Sequence, residues 1–94
     1  MKKEFGRRFL EAFDRLPAAK KHSATEAIEL FLRCLEHHVR LPIGLGLKKI
    51  DRERNYWELR STLADRIVFE WTGDVITFKL IGSHDDVRKF LRSN

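Results

Sequence analysis

An α+β fold, with an N-terminal helical hairpin packed on one face of a small twisted antiparallel sheet and a short C-terminal helix, is predicted by three features of this 94-residue chain. Apolar residues recur at helical spacing as far as about His38. From about Leu47 onward they alternate instead. Between the two stretches "RLPIGLGLKK" carries Pro42, Gly44 and Gly46, which interrupt a helix. One period gives way to the other with no linker, internal repeat or low-complexity tract, so residues 1–94 read as a single domain. A hydrophobic fraction of 43% suffices for one compact core.

Phe5, Phe9, Ala12, Phe13 and Leu16 recur every three or four residues and predict a first helix, with Arg7, Arg8, Glu11, Asp14 and Arg15 on its wet side. Pro17 disfavours helical geometry in the residue before it yet suits a first helical turn, so "RLPAAKK" is a joint between two helices. The second helix runs to about His38 with Ile28, Phe31, Leu32 and Leu35 as its buried stripe. Two starts are open to it: just after Pro17, or at Ala24 if "SATE" is a capping box. Strands are predicted at about Leu47 to Asp51, Tyr56 to Ser61, Arg66 to Thr72 and Val75 to Ile81, where aromatic and β-branched residues concentrate. Gly73-Asp74 joins the last two as a tight turn. "DDVRKFLRS" forms the closing helix, with Asp85 or Asp86 near its positive end.

Alternation sorts the strands into two faces. Trp57, Leu59, Ile67, Phe69, Trp71, Ile76, Phe78 and Leu80 share one, which must lie against the helices. Tyr56, Glu58, Arg60, Arg66, Val68, Glu70, Thr77 and Lys79 share the other. That second face is either a solvated surface or a site.

Charge bears on the choice. With 19 Lys and Arg against 14 Asp and Glu the net charge is +5, which favours an anionic partner such as nucleic acid. Cys34 is the sole cysteine, so an internal disulfide and a cysteine-rich zinc site are both excluded, and it reads as a buried apolar filler. No run of about 18 apolar residues exists and the N-terminus lacks the apolar core of a signal peptide, so a soluble cytoplasmic protein with no membrane partner is expected.

Arginines, a lysine and a tyrosine on one face are a combination that grips phosphates and stacks on a base. Of Lys48 and Lys49, one must point the same way, since neighbours on a strand diverge. His84 leaves the last strand behind Gly82 and Ser83. Cleavage of RNA by its own 2′-hydroxyl needs a base for that hydroxyl, cations for the crowded phosphorus, and an acid for the departing 5′-oxygen. Glu58, Arg60, Arg66, Lys79 and His84 supply such groups with no metal or cofactor. The plainer alternatives are that His84 is a helix cap or a loop histidine, and that Arg60 and Arg66 pair with Glu58 and Glu70 across the strands. His37 and His38 read as partners for a helix C-terminus, their side chains diverging too far for a shared metal.

The order of parts is more specific than any one residue. Two helices joined by "RLP", the stretch "GLGLKKI", then "YWELRSTLADRIVFEW", a tight hairpin and "FKLIGSHDDVRKFL" together resemble the RelE/ParE superfamily of bacterial toxins, across most of the chain. "YWELR", the arginine opening "RIVFEW", and "IGSH" most resemble the YafQ-like ribonuclease branch. The resemblance implies a toxin of a type II toxin-antitoxin module that cleaves mRNA in the ribosomal A site and is neutralised by a cognate antitoxin. It implies proton transfer by His84, phosphate stabilisation by Arg66, a catalytic carboxylate at Glu58, and RNA-backbone contacts from Lys48, Lys49, Arg60, Lys79 and Arg88. Three departures accompany it. Many members place a tyrosine in the C-terminal segment, where this chain has Arg88 and Phe90. Many open with a β-strand, for which only "MKKEF" is available. The ParE branch shares the fold and acts on DNA gyrase, so a gyrase inhibitor and a non-catalytic binding module are the rival readings.

Overall fold

The computed structural model describes residues 1–93. Among them β1 (Lys2–Phe5), β2 (Lys48–Asp51), β3 (Tyr56–Arg60), β4 (Asp65–Thr72) and β5 (Val75–Ser83) form one sheet in the order β1-β5-β4-β3-β2. Helices α1 (Arg7–Asp14) and α2 (Ala18–Glu36) cover one face, and α3 (His84–Ser93) crosses the other. The α+β class and the helical hairpin are as the sequence predicts.

The sheet itself is mixed. β2 to β5 are antiparallel, but β1 lies parallel to β5, with Lys2 beside Val75 and Phe5 beside Phe78. Phe5 therefore ends a strand instead of opening the first helix. Its ring stacks on Phe78 at 5.1 Å between centroids and tilts against Phe9 at 5.6 Å. Gly6 makes the change of direction as the N-cap of α1, its N–H donating to the Phe78 carbonyl at 2.8 Å.

Of the two starts open to α2, the fold takes the earlier. Pro17 is the N-cap, and the Ser23 hydroxyl donates backward to the Ala19 carbonyl at 3.1 Å, so "SATE" lies inside the helix and caps nothing. The helix ends at Glu36, two residues short of His38, with His37 as its C-cap. Phe9, Ala24, Ala27, Ile28 and Phe31 from the hairpin bury Leu59, Ile67, Phe69, Ile76, Phe78 and Ile81 of the sheet. Cys34 is buried, as expected of an apolar filler.

A β-bulge changes the facial assignment in β5. Val68 pairs with Leu80 and Phe69 with Phe78, which leaves Lys79 as an extra residue and reverses the alternation beyond it. Leu80, expected against the hairpin, instead joins Tyr56, Val68 and Ile50 on the opposite face, while Ile81 enters the main core. There Val87, Phe90 and Leu91 of α3 cover them. The face read as polar is thus half covered by a second small core.

Candidate active site

Three rows of cross-strand neighbours describe the face on which α3 lies. Arg60, Arg66 and Gly82 form the row at the end of the sheet where β5 leaves it. Lys48, Glu58, Val68 and Leu80 form the next, and Tyr56, Glu70 and Thr77 the third. α3 starts beside the first row and packs on Val68 and Tyr56, and the apolar cluster it forms there does not include Lys48, Glu58 or Arg66.

The turn into α3 answers what "IGSHDD" is for. The Ser83 N–H donates to Asp86 Oδ2 at 2.9 Å, and the Asp86 N–H donates to Ser83 Oγ at 3.1 Å, a reciprocal capping box. The Ser83 backbone N–H, and then its hydroxyl, hold the Asp86 carboxyl below its ordinary value. Gly82 makes room: a Cβ there would stand 2.7 Å from Asp86 Oδ2. With Ser83 as N-cap, His84 is the first helical residue, and no capping role is left for it. Its imidazole is exposed and has no hydrogen-bond or ion-pair partner among the described residues. Arg88, one turn on, shares its side of the helix and is also exposed.

Arg66 is the opposite case, a half-buried cation held from several sides. Its Nε lies 3.6 Å from Glu58 Oε2, the two side chains being 16% and 13% exposed. Its Nη1 donates to the carbonyls of Leu63 and Asp65, both at 3.2 Å. Nη2 has no protein partner among the described residues, which leaves one face of the fork for an anion. Arg60 is directly opposite Arg66 in the antiparallel pair.

The loop before Arg66 contains a buried acid that the sequence reading passed over. Asp65 accepts from the Thr62 hydroxyl at 3.1 Å and pairs with Lys20 of α2 at 3.2 Å, while its N–H donates back to Thr62 Oγ1 at 3.0 Å. The signal was the T-x-x-D spacing of "TLAD", which matches S-x-x-D at Ser83 in spacing, although here the carboxylate accepts from the hydroxyl and not from the backbone N–H. It fixes both carbonyls that hold Arg66.

Other expected site residues disperse. Lys48 sits opposite Glu58 and faces the corner, whereas Lys49 sits opposite Trp57 on the other face, its Nζ 5.5 Å from that ring. Lys79 pairs with Glu70 at 3.6 Å, beyond the row covered by α3. The Arg60 stem lies against Gly46 and lines a cleft between α2 and the Ile43–Leu45 turn. Tyr56, read as a base-stacking residue, is buried and stacks on Phe90 at 5.8 Å. Phe90 is itself buried, with the Arg8 guanidinium 5.2 Å above its ring. No group of three potential ligands among the described residues is placed to hold a metal ion. No helix among them is long and apolar enough to cross a membrane.

This arrangement of sheet and helices is shared with solved structures of toxins named RelE, YafQ and YoeB/ParE. The toxin of the RelB-RelE antitoxin-toxin complex from Methanococcus jannaschii aligns at a TM-score of 0.65 and 22% identity, over 93% of this chain and 96% of that one. The Escherichia coli DinJ-YafQ complex gives 0.68 and 15%, over 90% and 94%. The YoeB/ParE toxin from Agrobacterium tumefaciens gives 0.65 and 18%, over 89% and 99%. No protein-family model matches the sequence, and no curated protein matches it.

Proposed function

We propose that the chain is the toxin of a type II toxin-antitoxin module and acts as a metal-independent endoribonuclease on ribosome-bound mRNA. The observation that carries this reading is the polar corner beside the first turn of α3. His84, exposed and without a hydrogen-bond or ion-pair partner among the described residues, follows Gly82 and Ser83, and Gly82 pairs with Arg66, whose Nη2 has no protein partner among those residues. Fold alone does not choose a target, but this pairing of groups suits phosphodiester chemistry.

In the proposed reaction the 2′-oxygen attacks phosphorus and the bond to the 5′-oxygen breaks, leaving a 2′,3′-cyclic phosphate and a 5′-hydroxyl. The proton of the 2′-hydroxyl leaves with a base and another is delivered to the 5′-oxygen. Arg66 stabilises the charge that builds on the phosphorane oxygens. His84 transfers a proton. Glu58 holds Arg66 in place and is the second group there able to carry a proton. Lys48 and Arg88 extend the cationic surface along the RNA backbone. Solved neighbours include toxins bound to RelB and DinJ, which supports neutralisation of this chain by a cognate antitoxin.

The test is incubation of the purified protein with ribosomes carrying a defined mRNA. Cleavage within A-site codons, giving cyclic phosphate ends, is the expected result. Intact mRNA together with inhibited gyrase supercoiling would reassign the chain to the gyrase-directed reading, and intact mRNA with neither effect to the non-catalytic one.

A further inference from the structure

We infer that the cleft between α2 and the Ile43–Leu45 turn is a nucleobase pocket, receiving a base of the RNA strand whose phosphate sits on Arg66. The inference rests on the proposed function for its ligand and on separate residues for its geometry. The cleft measures about 360 Å³. Its walls include Ala27, Leu30 and Leu45, apolar surfaces of the kind that flank a planar base. Polar groups accompany them in the lining: Arg60, Ser61 and Glu26.

Two of these groups lack what a purely structural role would give them. Ser61 Oγ is buried with no hydrogen-bond partner among the described residues, the single side-chain atom of which that is true. A buried hydroxyl is nearly always paired, so an orphan at a cleft wall points to a ligand that completes it. Arg60 has no carboxylate within ion-pair distance among the described residues, although Arg66 stands directly opposite it. A guanidinium and a hydroxyl are the donors that read base edges, and Glu26 adds an acceptor. The placement is also economical for a single strand. Arg60 and Arg66 are cross-strand neighbours, which in the proposed arrangement sets a base at Arg60 next to a phosphate at Arg66. Tyr56 and Phe90 are buried and offer no ring on which a base could stack.

The experiment is a titration of isotopically labelled protein with the four free nucleosides, followed by NMR, and separately with inorganic phosphate. Nucleosides carry no phosphate and so report on the cleft apart from Arg66. At least one should shift the amide signals of Ala27, Leu45 and Ser61, whereas phosphate should shift those around Arg66. Ser61→Ala should weaken the nucleoside about fivefold, the worth of one hydrogen bond, while melting no lower than wild type because it removes an orphaned hydroxyl. Gly44→Leu is the blocking variant: a Cβ at Gly44 meets nothing within 4 Å, so its side chain can occupy the mouth without disturbing the fold. It should abolish the nucleoside shifts and leave the phosphate shifts intact. Four nucleosides that leave the cleft signals unmoved at millimolar concentration would overturn the inference, as would equal binding by both variants. Either result is independent of whether the protein cuts mRNA.

Discussion

The two halves of the face beneath α3 lie on the same strands and meet opposite fates. Tyr56, Val68 and Leu80 lie under Val87, Phe90 and Leu91 and form a second core, whereas Glu58 and Arg66 on the same strands stay outside it and face each other as an ion pair. The difference arises at two places in β5. The bulge at Lys79 turns Leu80 onto this face, giving α3 an apolar bed. The capping box at Ser83 and Asp86 then starts the helix promptly, so its apolar residues land on that bed and His84 faces outward. A chain that must close a small core and keep a polar corner out of it therefore sets the boundary with the helix start.

If that division is right, damage to the polar corner removes activity without removing structure. Arg66→Ala and His84→Ala should each lower cleavage by about 100-fold or more. Circular dichroism and urea midpoints should stay near wild type for His84→Ala, since the residue is exposed and has no hydrogen-bond or ion-pair partner among the described residues. Damage to the covered half should do the reverse. Phe90→Ala removes a buried ring stacked on Tyr56 and should cost about 3 kcal/mol or more in urea unfolding, with activity falling only as the folded fraction falls.

The boundary itself is worth less. Asp86→Ala should cost about 1 kcal/mol near neutral pH. The folded carboxyl lies below its ordinary value of 3.8, so its contribution is complete above that value and is lost as the pH falls through the folded pKa. Wild type and variant should therefore differ by a constant amount above about pH 3.8 and converge progressively as the pH falls below it through the folded pKa. The smallest effect separates the paired lysines. Lys48→Ala should weaken ribosome binding and reduce its salt dependence by about one phosphate contact. Lys49→Ala, on the opposite face against Trp57, should change neither measurably.

Much of this was legible in the sequence because the signals were local. Helical spacing located the hairpin, Gly73 with φ at +58° made the predicted turn, and alternation set most inward residues correctly. What alternation could not show was a break in its own period, since nothing in "FKLIG" marks Lys79 as the extra residue. The parallel strand β1 was equally hidden. All four of its residues are exposed and carry no inward stripe, and its partner lies more than seventy residues away in the chain. The cover over Tyr56 was readable in principle, because Val87, Phe90 and Leu91 repeat at helical spacing and need an apolar bed. His84 was identified as a candidate from its position. Its freedom from the capping role became visible only once Ser83 and Asp86 were seen to bond each other.

Mapping of mRNA 5′ ends by primer extension, in cells briefly expressing wild-type protein or His84→Ala at equal levels, tests the division most directly. Discrete cuts within translated codons that disappear in the variant are the predicted result. The same cuts from a folded His84→Ala protein would contradict it and return the histidine to the surface of an ordinary helix end.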